Sequence, residues 1–256
     1  VKSSSAVFTQ PNTDVTTATS LDDLKDSLVV TATLDDDTTE TVDGEHYIIN
    51  GTLTAGKSTL TVVYGGKTAT FDCLVMYDLS EAVTLTETDK IDTGWETTFS
   101  DKITVCCDVT ISALHGSNYY NMIWTTFLTS AGDAYVALNA MLSSGGEYRL
   151  WGAGISSSYM TGNITGVNER VRVVASIDMT TGVITNKLYN VTNDVTKDRS
   201  NTYNVQYLES NGRHIFIGHP DQEGGAVMGI QGTVHSFKIH GRELSSSEIN
   251  AYLAGE

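Results

Sequence analysis

The segment that most restricts this chain runs from His214 to Leu253, HIFIGHPDQEGGAVMGIQGTVHSFKIHGRELSSSEINAYL. Ile215, Phe216 and Ile217 form a short apolar run that Gly218 stops. A loop rich in glycine and acidic residues follows. Gly232 then opens a strand in which Val234, Ser236, Lys238 and His240 alternate with His235, Phe237, Ile239 and Gly241. Ser245 and Glu248 are spaced as a capping box, which predicts a short helix carrying Ile249, Tyr252 and Leu253 on one side. Strand, loop, strand and closing helix require a sheet with a second layer to bury it. The rest of the chain agrees: Thr, Val, Ser and Gly abound, only 2 of 256 residues are proline, and helical periodicity recurs only over Leu21–Leu28. The expectation is an all-β protein long enough for two cores.

The residues Ile217-Gly218, Gly232 to His240, Arg242-Glu-Leu-Ser245 and Glu248-Ile249 resemble the end of the concanavalin A-like superfamily in its laminin G-like, pentraxin-related form. Arg170 to Asn190 resembles the central hairpin of that family, with an Asp-to-Gly turn at Asp178–Gly182. Asn190-Val-Thr-Asn193 stands where that family has Asn-Gly, so a longer or differently turned tip is expected. The resemblance implies a jelly-roll sandwich over residues 78–256. It fixes no activity, because this sandwich carries lectins, glucanases, adhesins and spacers alike.

Residues 1–77 read separately. Leu28–Leu34, Thr38–Val42, Tyr47–Ile49, Leu60–Tyr64 and Lys67–Val75 are β-rich runs, and Gly65-Gly66 between the last two predicts a two-residue hairpin. Leu24–Thr33, Asp36–Val42 and Val63–Phe71 resemble bacterial immunoglobulin-like repeats of surface and phage structural proteins, which implies an immunoglobulin-like sandwich acting as a spacer. Met76–Ala82 lacks Pro or a Gly/Ser tract and reads as a short, semi-rigid junction. Val1–Ser5 lacks Met and any apolar core, and reads as the cut edge of a longer polypeptide.

A formal charge of −16 opposes phosphate backbones and anionic lipid, so neither nucleic acid nor membrane insertion is expected. Three cysteines cannot form a closed disulfide set. Adjacent Cys106 and Cys107 take opposite faces of a strand, so one is expected in the core and the other half-exposed. Free thiols fit a protein assembled in cytoplasm, such as a virion component.

A pyranose is gripped by aromatic faces with amide, carboxylate or guanidinium partners at its rim. Two segments offer them: the loop at Tyr119 and Tyr120, and a glycine-rich strand pair with Tyr148, Arg149, Trp151, Tyr159 and Asn163. Calcium is the cofactor implied by laminin G-like and pentraxin relatives, with Asp133, Asp221 and Glu223 as rim oxygen ligands; solvated acidic turns are the plainer alternative. The glucanase pattern of the superfamily is matched only loosely, by Glu87-Thr-Asp89-Lys-Ile-Asp92, whose last member is a methylene short. The sequence therefore points to a non-catalytic binding module displayed on a phage virion or a bacterial surface. Its expected partners are cell-surface or mucus glycans, other virion or surface-protein subunits, and further copies of itself. A structural decoration protein and, more weakly, a glycoside hydrolase are the competing readings.

Overall fold

The computed structural model describes residues 1–96, 102–115, 120–126, 138–152, 155–160, 166–178, 180–202, 214–219 and 227–256, with backbone alone for 120, 138–139, 151–152, 155–160, 201 and 227–228. The chain divides into two compact units, Val1–Met76 and Tyr77–Glu256.

The first unit has six strands: β1 (Ser3–Phe8), β2 (Leu28–Thr33), β3 (Thr39–Val42), β4 (Ile48–Asn50), β5 (Gly56–Tyr64) and β6 (Lys67–Val75). They form two antiparallel three-stranded sheets, β1-β2-β3 and β4-β5-β6. Alternation decides the inner faces, with Val30 and Ala32 of β2, Leu60 and Val62 of β5, and Phe71, Cys73 and Val75 of β6 in one core. Val30, Leu60 and Val62 are each 0 % exposed, and each such side chain contributes roughly 1.5–3 kcal/mol of burial. Leu21–Leu28 gives a 3-10 helix, Asp22–Ser27, that delivers Leu24 to this core. Val1–Ser5, expected only as a cut edge, leads into β1, where Phe8 stacks on Phe71 at 5.0 Å between ring centroids. Gly65 and Gly66, at φ 54° and 73°, make the tight β5–β6 turn.

The second unit holds β7 (Tyr77–Leu79), β8 (Val83–Leu85), β9 (Lys90–Glu96), β10 (Lys102–Ala113), β11 (Tyr120–Thr125), β12 (Leu138–Leu142), β13 (Tyr148–Gly152), β14 (Ile155–Met160), β15 (Glu169–Asp178), β16 (Val183–Asn190), β17 (Val195–Thr202), β18 (His214–Gly218), β19 (Val227–Gly229), β20 (Gln231–His240) and the helix α1 (Ser246–Ala254). One sheet runs β17-β16-β15-β10-β20-β7, with β8 also on β20; the other runs β14-β13-β12-β11-β18-β9, with β19 on β11. Every pairing is antiparallel except β11 with β19. The β16–β17 hairpin closes at Asn190 and Val195, so its tip is the four residues 191–194, with Asp194 at φ 55°.

β10 is buried on both faces. Val105, Cys107, Val109 and Ile111 face one way, at 0–1 % exposure. On the other face Cys106 packs with Val174, Leu244, Ile249 and Leu253 beneath α1. Both adjacent cysteines are therefore buried, at 0 % and 1 %, which corrects the expectation that one would be half-exposed: the closing helix covers the strand face that alternation alone would leave to solvent. The helix is fixed at its start by the capping box, in which Ser245 Oγ accepts from the Glu248 amide and the Glu248 carboxylate accepts from the Ser245 amide. The turn before it is held by Thr104, whose hydroxyl donates to the Arg242 carbonyl at 3.0 Å and accepts from the Leu244 amide at 3.1 Å.

Candidate functional site

Strand register defines two faces of the β9–β14 sheet. The rows Asn121–Leu142–Tyr148 and Trp124–Ala140–Leu150 are all at 0–1 % exposure and form the core face. Tyr148, one of the aromatic residues expected at a glycan site, thus belongs to the core. Burial drives its phenol well above the usual range, with a smaller push from Cys107, and a ring at 0 % exposure offers no face to a sugar. Trp95 and Trp124 are buried likewise.

The intervening row, Met122–Met141–Arg149, belongs to the other face; the backbone of Tyr159 pairs with Arg149, and Trp151 pairs with Asn139 one register step beyond Leu150. This brings three of the expected residues, Arg149, Trp151 and Tyr159, onto the adjacent strands β13 and β14. A register shift interrupts the β13–β14 ladder between Leu150 and Gly152, and bulges of this kind re-aim side chains at sheet edges and functional sites. The Arg149 guanidinium donates to Glu147 Oε2 at 2.9 Å, with side-chain exposures of 21 % and 34 %. Glu147 is itself set by the β12–β13 turn, where the Ser143 amide donates to the Glu147 carbonyl at 2.9 Å and the Ser143 hydroxyl accepts from the Glu147 amide at 3.1 Å. Glu147 was missed in the sequence, although its two-residue spacing from Arg149 places both on one strand face.

The centre of this face is closed, since Met122, Met141 and Thr125 are at 3 %, 4 % and 0 % exposure. Its far flank carries a second polar group. Asp92 of β9 accepts from His214 Nδ1 of β18 at 2.9 and 3.0 Å and from the Gly94 amide at 2.8 Å. Partial burial pushes the Asp92 carboxyl up, but these bonds outweigh it and hold the group below its ordinary range. Phe216 lies beside this pair and beneath the Lys90 ammonium, 5.9 Å from the ring centroid.

The opposite sheet carries a different cluster. Asp108 accepts from Arg170 Nε and Nη2, each at 2.7 Å, and from Arg172 Nε at 2.9 Å. Burial raises its pKa, yet the two guanidiniums prevail and keep it ionised below the usual carboxylate range. Arg172 also donates to the Leu253 carbonyl at the end of α1, so this cluster locks the helix to the sheet.

Tyr120 is described by its backbone alone, opposite Val227. Tyr119, Asn163, Asp133, Asp221 and Glu223 lie outside the described residues. Among the described residues no group of three His, Cys, Asp or Glu side chains is arranged to hold a metal ion. The glucanase-like string does not lie along one strand: Glu87 and Asp89 sit in the turn before β9, where Asp89 Oδ2 accepts from the Thr86 amide and hydroxyl at 2.8 Å, and Asp92 is engaged with His214. Among the described residues no helix is long and apolar enough to cross a membrane.

No protein-family model and no curated protein matches the chain. Among solved structures it is similar to the CBM40 module of the Ruminococcus gnavus IT-sialidase bound to α2,3-sialyllactose, with a TM-score of 0.51 and 12 % identity over 69 % of this chain and 97 % of the module. It is also similar to the leech intramolecular trans-sialidase complexed with 2,7-anhydro-Neu5Ac, with a TM-score of 0.51 and 12 % identity over 70 % of this chain and 28 % of the enzyme. At such identities the likeness establishes the fold, a β-sandwich of the kind used by carbohydrate-binding modules.

Proposed function

We propose that the second unit is a non-catalytic glycan-binding module, displayed on a phage virion or a bacterial surface, that recognises cell-surface or mucus glycans. The observation that carries this reading is the register of β13 and β14, which gathers Arg149, Trp151 and Tyr159 on neighbouring strands, with Arg149 off the Tyr148–Leu150 core face. Glu147 holds the Arg149 guanidinium without burying it. A partly exposed guanidinium on strands whose sequence also carries aromatic residues suits a sugar that presents hydroxyls or a carboxylate. The carbohydrate-binding modules that share the fold support the same reading, and a sialylated glycan is the first ligand to try because a module of this fold binds sialyllactose.

A single such site is weak, and many copies on a particle raise avidity by about 10²–10⁴ without new contacts. The first unit then acts as a spacer. The virion setting rests on the resemblance of residues 24–71 to immunoglobulin-like repeats of phage and surface proteins. Titration of 3′-sialyllactose with fluorescence detection tests the site, because Trp95 and Trp124 are buried at 1 % exposure and a ligand-dependent signal should arise from Trp151. A signal that vanishes in Trp151→Phe supports the site, and its loss in chelator adds calcium to it. Unchanged fluorescence with sialylated and neutral glycans alike favours structural decoration through protein contacts.

A further inference from the structure

A second reactive position lies in the first unit, at the end of its shortest strand. Asn50 closes β4, a three-residue strand at the edge of its sheet, and is solvent-exposed. Its side-chain amide and the Gly51 N–H make no hydrogen bond among the described residues. The following residue must be glycine: Gly51 has φ +138°, and a Cβ there would sit 2.6 Å from Leu60 Cδ2. The fold thus requires, directly after an exposed asparagine, the one residue that leaves its own backbone nitrogen unshielded.

We propose that Asn50 is a site of spontaneous deamidation through a cyclic imide. The Gly51 backbone nitrogen, losing its proton to solvent base, attacks Asn50 Cγ; the N–Cγ bond forms, the Cγ–Nδ2 bond breaks, and ammonia leaves carrying the proton it takes from water. Water then opens the succinimide at either carbonyl. Opening at the side-chain carbonyl gives aspartate, and opening at the main-chain carbonyl gives isoaspartate, with no change of oxidation state in either case. Isoaspartate inserts a methylene into the backbone beside Leu60 and between two core residues, Ile49 and Leu53, each at 7 % exposure, so the aged protein should lose packing in this unit as well as gain a negative charge.

The molecule contains its own control. Asn190 is 0 % exposed, donates to Glu169 Oε2 at 2.6 Å and accepts from the Thr192 and Asn193 amides at 3.1 Å. It precedes Val191, whose side chain crowds the attacking nitrogen.

The test is to age the full folded chain in mildly alkaline buffer and map it by peptide mass spectrometry, with isoaspartate detected by enzymatic carboxyl methylation. The expected result is replacement of NH₂ by OH at Asn50, several-fold ahead of Asn190, with isoaspartate present, and a lower melting temperature in the aged fraction. Asn50→Ser should remove both the modified peptide and the loss of melting temperature. The proposal is overturned if Asn50 stays unmodified in the folded chain while the same peptide converts once unfolded, or if Asn50 converts no faster than Asn190.

Discussion

Replacing Asp108 with asparagine keeps the shape of the side chain and removes its charge, leaving Arg170 and Arg172, two residues apart on β15, without the β10 carboxylate they share. Asp108 is 8 % exposed at its side chain, Arg172 is 12 % and Arg170 is 39 %. Three charge-assisted bonds of 2.7–2.9 Å are lost or weakened at once. Breaking a buried ion pair by removing one partner costs about 3–5 kcal/mol, and the solvation available to Arg170 places the effect near the lower end, about 3 kcal/mol. For a unit of this size that lowers the melting temperature by about 6–12 °C. Because Arg172 also holds the Leu253 carbonyl, the loss should appear as early release of α1. Differential scanning calorimetry of the full chain, which has two compact units, should show a shift in one transition only. The double variant Asp108→Leu/Arg172→Met should recover part of the loss, since apolar replacements of buried pairs are often neutral. A single variant within about 0.5 kcal/mol of the parent would refute the view that this cluster is a structural lock.

Two further outcomes follow from the same end of the molecule. Leu253→Ala should open Cys106, which α1 covers, to a thiol reagent while Cys107 stays protected; equal reactivity of the two would contradict the placement of the helix. Glu248 is held down from 4.5 to about 2, first by the Arg242 hydrogen bond and then by Ser245. A carboxyl lowered on folding stabilises fully above its unfolded value, and that contribution fades as pH falls from about 4.5 to about 2, so Glu248→Gln should flatten the acid limb of a melting-temperature profile. An unchanged slope would show that the cap contributes nothing.

Much of the fold is legible where a local rule has a single solution. Gly65-Gly66 sets a two-residue turn, and Ser245 with Glu248 sets the start of α1. What sequence periodicity cannot convey is which face a distant element covers. Cys106 and Cys107 alternate as expected, yet both are buried because α1 returns over β10. Tyr148 and Arg149 separate onto opposite faces as alternation requires, but nothing local distinguishes the core face from the outer one; that follows from the sandwich partner, and it removes Tyr148 from the site. The pairing of Asp92 with His214, 122 residues apart, is invisible to any short-range pattern. The Glu147–Arg149 pair was within reach, since a two-residue spacing on a strand places both on one side.

The central claim is that the β13–β14 region carrying Arg149 and Trp151 binds glycans. A glycan-array screen of the full chain in multivalent display, run with calcium and with chelator beside Trp151→Ala and Arg149→Ala, tests it most directly. The account predicts selective binding by the parent chain that both variants lose while their melting temperatures stay unchanged. Silence of the parent chain across the array in both buffers, or binding that survives both substitutions, would contradict it.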